Sequence, residues 1–382
     1  MTNALVPRRI RCAVVTNVPA PYRLPMWEIL AASGQVDLHV VYCAAAHIDP
    51  SQDGRNSNHG VHFLGGRYKA FDTRFTHADL GVCKVLAEIR PDVVITNGFI
   101  PTFVFAFAWA VLHRVPHITM TDGTLETESK LSWKHRLIRR IVFAFTRSHL
   151  GACQGSVELY RSYGIPANRI HVSPLCADNE RFGASVLSFG EREHDFLFCG
   201  RYMDLKNPLM AIRMARSVAV RLGRRVSLRF VGKGELEPAM RALAAEVAPE
   251  VSVSFAGYLP QEALPQEYAS ARVFLFPTSM DCWGVVVNEA CAAGVPCIVS
   301  PHTGVAGEMI RDGDSGFVCP LNDEALWVER CCRLLADEAH WRQMSQAARQ
   351  AVSGYTFERA AQGVLQSLQQ AVGHPLSGGG AA

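Results

Sequence analysis

Two acids and two bases in the second half of this 382-residue chain have the types and settings that chemistry on a phosphorylated ligand requires. Asp281 and Glu289 stand eight residues apart in PTSMDCWGVVVNEACAAGVPCIVS. Before them, Val273, Phe274, Leu275 and Phe276 form an apolar run ended by Pro277, which reads as a buried strand of a parallel sheet. A short acidic loop carries Asp281, residues 284–293 read as a helix stopped by Gly294, and residues 295–300 read as the next strand. The loop therefore falls at the carboxyl edge of the sheet, where parallel sheets bind ligands. A helix N-terminus offers unpaired N–H groups and partial positive charge, a setting for phosphate. A carboxylate on such a helix can hold a vicinal diol, each oxygen accepting one hydroxyl. Spacing alone leaves a second reading open, with Glu289 a solvated helix residue and Asp281 part of a turn.

Arg201 and Lys206 follow another apolar strand in CGRYMDLKNP. A guanidinium gives paired donors and an ammonium a point charge, both suited to phosphate oxygens. By itself an Arg-x4-Lys pair is ordinary surface charge. Gly232-Lys233-Gly234 follows a further strand but lacks the third glycine of a dinucleotide fingerprint, so it is a weak signal. In the first half, Asn17, Tyr22 and Arg23 lie at the carboxyl end of the first strand. Arg23 can pair with a phosphate or serve as a helix-capping surface residue. Asp122, in TMTDGT, binds substrate hydroxyls or merely ends a strand.

The elements that must position these residues alternate strand and helix along the chain, which means parallel, doubly wound sheets. In the first half, strands at residues 10–16, 36–43, 91–98 and 117–123 alternate with helices at 26–33, 80–89 and 101–113. Residues 47–74 read as a long polar loop with short strands. Residues 129–147 read as an amphipathic basic helix, in which Lys130, Lys134, His135, Arg136, Arg139, Arg140 and Arg147 alternate with Trp133, Leu137, Ile138, Ile141 and Phe145. Such a helix fits an anionic membrane surface, or packs on its own sheet with a solvated basic face. Residues 183–194 read as a polar linker before a second strand–helix alternation, and a long terminal helix runs from 341 to 372.

The length suits two domains, and 49% hydrophobic with 19% charged residues excludes a disordered chain. A net charge of +3 gives no sign of a nucleic-acid partner. Twelve cysteines without a C-x-x-C pair read as buried thiols in a reducing compartment. The longest apolar run, 99–112, is shorter than the roughly twenty residues of a membrane span. With a start too short in apolar residues for a signal peptide, the expected location is cytoplasmic, with peripheral contact at the membrane's inner face.

Residues 281–296 resemble the signature of family 4 glycosyltransferases, retaining enzymes of the GT-B architecture. Glu289, Ala290, Ala292, Gly294 and Pro296 fit its later part and Trp283–Gly284 its middle, while Asp281 stands where the family has Glu. Asp178 and Phe182 match the family's crossover, although Leu175, Cys176 and Ala177 replace its usual Asn-Gly-Val. The segment YTFERAAQGVL resembles the helix that crosses back to the first domain. The likeness is specific over residues 170–360 and general before them.

The resemblance implies an α/β GT-B fold of two Rossmann-like, doubly wound domains facing a cleft. Residues 1–183 would bind the acceptor, 184–355 the nucleotide sugar, 356–373 would form the returning helix and 374–382 a flexible tail. Arg201 and Lys206 would stabilise the departing diphosphate, whose negative charge grows as the glycosidic bond breaks. Asp281 would hold donor-sugar hydroxyls, and Asp122 stands where relatives carry a His near the reacting centre. Gly200, Gly232, Gly284, Glu289, Thr303, Gly304 and Glu308 would line the donor site. Asn17, Tyr22 and Arg23 would meet the acceptor, and Pro-x-Pro-Tyr-Arg at 19–23 is like a subgroup that builds bacterial surface polysaccharides.

The implied activity is retaining transfer from a nucleotide sugar to a glycan or lipid-linked acceptor, without a cofactor, the nucleotide sugar being the donor substrate. No Asp-x-Asp cluster ends an apolar strand, so no catalytic metal is expected. Two other classes remain open: a GT-B-like sugar-nucleotide epimerase, whose base and nucleophile set is not found, and a non-catalytic nucleotide-sugar-binding partner of a transferase.

Overall fold

The structure, a computed structural model, describes residues 9–44, 57–65, 69–71 and 74–373, with 69–71 and 74–76 described as backbone. Residues 47–56, 66–68 and 72–73 of the expected polar loop and the expected tail lie outside the described residues. The chain forms two compact units, Met1–Leu175 with Phe357–Ala382, and Cys176–Thr356.

The first unit contains β1 (Ile10–Thr16), α1 (Leu24–Ala32), β2 (Val36–Tyr42), β3 (Gly60–Phe63), β4 (Lys69–Phe71), β5 (Arg74–Thr76), α2 (Gly81–Ile89) and β6 (Val93–Asn97). It continues with α3 (Pro101–Leu112), β7 (His117–Thr121), α4 (Leu125–Ser129), α5 (Trp133–Phe145), β8 (Ser148–Gly151), α6 (Gln154–Ser162) and β9 (Ile170–Val172). Seven strands pair in the order β3-β2-β1-β6-β7-β8-β9, and β4 and β5 form a separate antiparallel pair. Every neighbouring pair of the large sheet is parallel, and β1, an interior strand, exposes only Arg11 beyond its buried residues. Strands covered on both faces need apolar side chains in both directions, which explains the runs of Val and Ile. Ala13, Val15, Val94, Val82, Leu86 and Phe103 make the core between the sheet and the helices α2 and α3.

The second unit contains α7 (Asn179–Phe182), β10 (His194–Cys199), α8 (Pro208–Leu222), β11 (Val226–Val231), α9 (Glu237–Glu246), β12 (Val251–Gly257) and α10 (Leu264–Ala269). Then come β13 (Ala271–Phe276), α11 (Val285–Ala292), β14 (Cys297–Val299), β15 (Gly316–Val318), α12 (Glu324–Ala336) and α13 (Glu338–Val352). Its strands run β12-β11-β10-β13-β14-β15, all parallel. The order reverses between β10 and β13: the chain builds outward from β10 to β12, then returns to β10's other edge. Phe196, Phe198, Leu228, Phe230, Met214 and Trp327 fill this unit's core.

Four expectations are corrected. The division falls after Leu175, not after residue 183, because α7 belongs with the second unit: Phe182 is buried with its ring 5.6 Å from that of Tyr268. The terminal helix is two helices, α13 and α14 (Phe357–Val372), separated by residues 353–356. Helix α14 belongs to the first unit, where Ser367 Oγ meets Ser148 Oγ at 2.8 Å and Gln370 donates to the Asn168 carbonyl at 2.6 Å. The basic segment at 129–147 is also interrupted. Ser129 ends α4, whose Thr124 and Thr127 form a reciprocal capping pair, and α5 starts at Trp133. Arg139 is not part of a solvated basic face: its Nη1 lies 3.2 Å from Glu128 Oε2, and its guanidinium sits 4.5 Å over the Phe99 ring.

Candidate functional site

In a doubly wound sheet the crevice for a ligand opens where the strand order reverses, outside the carboxyl ends of the strands. In the second unit that point lies between β10 and β13. Lys206 follows β10, Asp281 follows β13, and the two meet there: Lys206 Nζ donates to Asp281 Oδ2 at 2.5 Å. Both side chains keep solvent access, 19% for Lys206 and 26% for Asp281, so the pair is reachable by a ligand.

The loops carrying them are stitched together. Ser279 N–H and Thr278 Oγ1 each donate to the Leu205 carbonyl at 2.8 Å, and Asn207 Nδ2 donates to the Pro277 carbonyl at 2.8 Å. Asn207 adopts φ +49°, a conformation Asn tolerates, and turns the chain from Lys206 into α8. Lys206 Nζ also lies 5.2 Å from the Phe276 ring centroid, a cation–π contact that further fixes its place. Arg201 lies in the same loop and is exposed.

Asp281 has two commitments within the protein. Its Oδ1 accepts the Trp283 N–H at 3.0 Å, an acceptor two residues before its donor, which is the Asx-turn geometry of short acidic side chains. Its Oδ2 accepts from Lys206. A longer Glu side chain would not close that local turn, which gives Asp at this position a physical reason.

The neighbouring loop after β14 fixes this one in turn. Asp281 N–H donates to the His302 carbonyl, Gly304 N–H to the Asp281 carbonyl, and Thr303 Oγ1 to the Trp283 carbonyl. A Cβ on Gly304 would run into the Cys282 carbonyl, so only glycine permits this approach. Gly284, the N-cap of α11, packs beside Phe276 and Thr303. Trp283 is buried, donates from Nε1 to Asn288 Oδ1 at 2.8 Å and packs against Tyr355, the tilted rings 5.1 Å apart. The Tyr355 hydroxyl donates to Glu308 Oε1 at 3.2 Å, so Glu308 reaches this assembly through a tyrosine that the sequence did not single out.

Gly200 and Gly232 are joined by backbone. Gly200 N–H donates to the Val231 carbonyl at 3.0 Å, and Gly232, at φ +132°, brings its Cα so near that a Cβ would overlap the Gly200 carbonyl oxygen. The glycines therefore let the loops after β10 and β11 lie against each other.

Glu289 is not the solvated helix residue that spacing alone left open. It is 7% exposed on α11, and the Tyr268 hydroxyl donates to its Oε2 at 2.6 Å. Burial pushes its carboxyl up to about 7, partly opposed by the Tyr268 hydrogen bond and the charge of Arg181. Tyr268, on α10, is a second residue that sequence reasoning missed, because LPQEYA reads as an ordinary surface turn of helix.

In the first unit, the predicted acceptor residues also gather at a carboxyl edge, that of β1, β6 and β7. Arg23, just before α1, is 6% exposed, and its Nη2 donates to Asp122 Oδ1 at 2.9 Å. Asn17 Oδ1 faces His77 Nε2 at 3.0 Å, and His77 Nδ1 faces Thr102 Oγ1 at 2.8 Å. Burial lowers the His77 pKa, so the ring favours its neutral form. Tyr22 is 38% exposed. His77 lies beyond the polar stretch and carried no spacing signal.

A polar groove of about 450 Å³ in the second unit is lined by residues including Asn179, Glu180, Ala292, Arg349 and Ser353. It contains none of the residues above and adjoins the far end of α11. Among the described residues no cluster of three or more His, Cys, Asp or Glu could hold a metal ion, and no helix is long and apolar enough to cross a membrane.

Residues 183–351 match the family described as Glycosyl transferases group 1, and residues 8–176 match the Glycosyl transferase 4-like domain. A D-inositol 3-phosphate glycosyltransferase of Nocardia farcinica is 28% identical over 247 residues, 61% of this chain and 54% of the relative. The amylovoran biosynthesis glycosyltransferase AmsK of Erwinia amylovora is 27% identical over 182 residues, 46% of this chain and 44% of the relative. The chain thus spans about half the length of the curated relatives it matches. Among solved structures, Anabaena HepE in complex with UDP and glucose shares the fold with a TM-score of 0.73 at 15% identity, covering 94% of this chain and 100% of that one. With one family match on each parallel-sheet unit and the GT-B fold in common, the chain belongs to the family 4 glycosyltransferases.

Proposed function

We propose that the protein transfers a sugar, with retention, from a nucleotide-sugar donor to a glycan or lipid-linked acceptor, without a catalytic metal or a further cofactor. The observation that carries this reading is the Lys206–Asp281 pair at the strand-order reversal of the second unit. As the bond from the sugar to the diphosphate breaks, negative charge grows on the leaving phosphate. Lys206, held from below by Asp281, and Arg201, exposed in the same loop, are the cations available to it. The acceptor oxygen bonds to the sugar carbon as the diphosphate departs, and its proton leaves with the phosphate or to solvent.

Glu289 would accept hydroxyls of the nucleotide's ribose through the oxygen that Tyr268 leaves available. Gly200, Gly232, Gly284, Thr303, Gly304 and Glu308 would shape the donor site around it. Asp122, Arg23, Asn17 and Tyr22 would meet the acceptor. UDP is the first nucleotide to test, since Anabaena HepE holds UDP. The names of the two relatives favour a phosphorylated polyol or a growing surface polysaccharide as acceptor. Placement on the inner face of the membrane belongs to the same reading.

The test is to incubate purified protein with a panel of nucleotide sugars and lipid-linked glycan acceptors, following nucleoside diphosphate release and product mass. Acceptor-dependent release that disappears in Lys206→Ala is the expected result. Tight nucleotide-sugar binding without turnover on any acceptor would favour a non-catalytic partner, and interconversion of the donor sugar an epimerase.

A further inference from the structure

Eleven large apolar side chains are exposed among the described residues, and four of them fall on the 13-residue helix α5: Trp133 (69%), Leu137 (48%), Ile141 (49%) and Phe145 (60%). A scatter of single exposed apolar residues is normal, but a concentration on one helix is not. The four recur every fourth position, so they advance about 40° per step and occupy one sector of about 120°. Helix α5 is fixed from the other side. Val142 and Phe143 are buried, the Phe143 ring contacts those of Phe99, His149, Tyr160 and Tyr163, and Arg139 is tied to Glu128. On the helical wheel the Val142–Phe143 side lies opposite the exposed stripe.

The charges around the stripe have one sign. Lys134, Arg136 and Arg140 are exposed on α5 and Arg147 follows it, while WKHRLIRRIVFAF contains no acid. Two copies meeting on this face would set like charges against each other, which disfavours a self-association surface. An anionic surface with an apolar interior matches both parts at once.

We propose that α5 lies in the plane of an anionic lipid bilayer, with Trp133, Leu137, Ile141 and Phe145 inserted at the headgroup–acyl boundary and Lys134, Arg136, Arg140 and Arg147 among the lipid phosphates. The association is insertion, not adsorption by charge alone. Asp122 follows β7 directly, and α5 begins eleven positions later, after the short helix α4. On the transfer reading above, this would bring a lipid-linked acceptor to the first unit; the insertion itself does not depend on that reading.

The experiment uses the full chain and vesicles, with neither donor nor acceptor present. Vesicles of phosphatidylcholine mixed with phosphatidylglycerol should sediment the protein, and Leu137→Glu or Ile141→Glu should each lower partitioning by about tenfold or more. Arg140→Glu should weaken binding to the anionic vesicles in particular. Phospholipids brominated on the acyl chain should quench fluorescence in the wild type, and Trp133→Phe should remove that quenching while binding persists. Because these side chains are exposed, the variants should melt like the wild type. Undiminished partitioning of Leu137→Glu and Ile141→Glu, or no quenching traceable to Trp133, would overturn insertion. So would lipid-free self-association abolished by Leu137→Glu, which would make the face a protein contact. Failure to bind vesicles would leave the sugar-transfer reading standing, since that is measured separately by diphosphate release.

Discussion

Lys206 Nζ and Asp281 Oδ2 are 2.5 Å apart although 75 positions separate them in sequence, and they join the loops that leave β10 and β13. Asp281 holds the lysine in place while its other oxygen closes the loop through the Trp283 N–H. On the proposed transfer reading, the acid would act on the ligand first through the lysine. Replacing Lys206 by Met should lower kcat by about a hundredfold or more, the scale seen when one preorganised electrostatic group is lost. Asp281→Asn keeps the local turn but loses the charge and should cost less. In the double variant the losses should not multiply, because contacting residues couple. Fully multiplicative kcat/KM losses would show that the two act separately.

Glu289 should make folding stability depend on pH and, on the proposed reading, donor binding as well. Its carboxyl is raised from an ordinary 4.5 to about 7 by burial, so the unfolded chain gives up this proton at lower pH than the folded one. Folding then loses stability as pH rises from about 4.5 to about 7, by roughly 3 kcal/mol in all at 1.36 kcal/mol per unit. The Tm of Glu289→Gln should lack this decline. Donor affinity should run the other way, rising through the same range as the carboxylate forms. Tyr268→Phe removes a hydrogen bond that favours the ionised form and should move the affinity midpoint upward; an unmoved midpoint would remove Tyr268 from this role.

The glycine loops give a structural prediction free of any ligand. Gly232→Ala places a Cβ on the Gly200 carbonyl at a backbone angle that side chains rarely adopt. Thermal melts should show a loss of about 2 kcal/mol or more, with Gly304→Ala comparable. Melting unchanged from the wild type in either variant would contradict the close backbone approach.

Much of this was legible in the sequence because the strands carry apolar runs, Lys206 and Asp281 lie in the loops that follow two of them, and Glu289 lies on the helix after the second loop. The meeting of Lys206 with Asp281 was not, since it depends on which edge of β10 receives β13. The burial of Glu289 was hidden for a similar reason: its partner Tyr268 lies on a short helix with no periodic signal. The break between α13 and α14 is marked only by the short weak-helix run Ser353-Gly354-Tyr355-Thr356 between two strongly helical segments. On α5 the alternation of basic and apolar residues was plain, yet only packing shows that Val142 and Phe143 face inward and Trp133, Leu137, Ile141 and Phe145 outward.

In the first unit, Arg23 gives one nitrogen to Asp122 while Nε and Nη1 are buried without a hydrogen-bond partner. Leaving such donors unsatisfied is costly, and an acceptor's anionic group would satisfy them. Arg23→Lys should therefore raise the KM for a phosphorylated acceptor by about tenfold or more, since a lysine keeps the charge but not the fork. The Kd for UDP should stay unchanged. An equal loss of UDP affinity would place Arg23 outside acceptor binding.

The claim that the donor binds at the carboxyl edge between β10 and β13 is tested most directly by hydrogen exchange of the wild-type protein with and without UDP-glucose. The account predicts slowed exchange at amides 200–207, 281–289 and 303–308. Binding of UDP-glucose that leaves those segments unchanged, or that protects 179–183 and 346–353 around the polar groove instead, would contradict it.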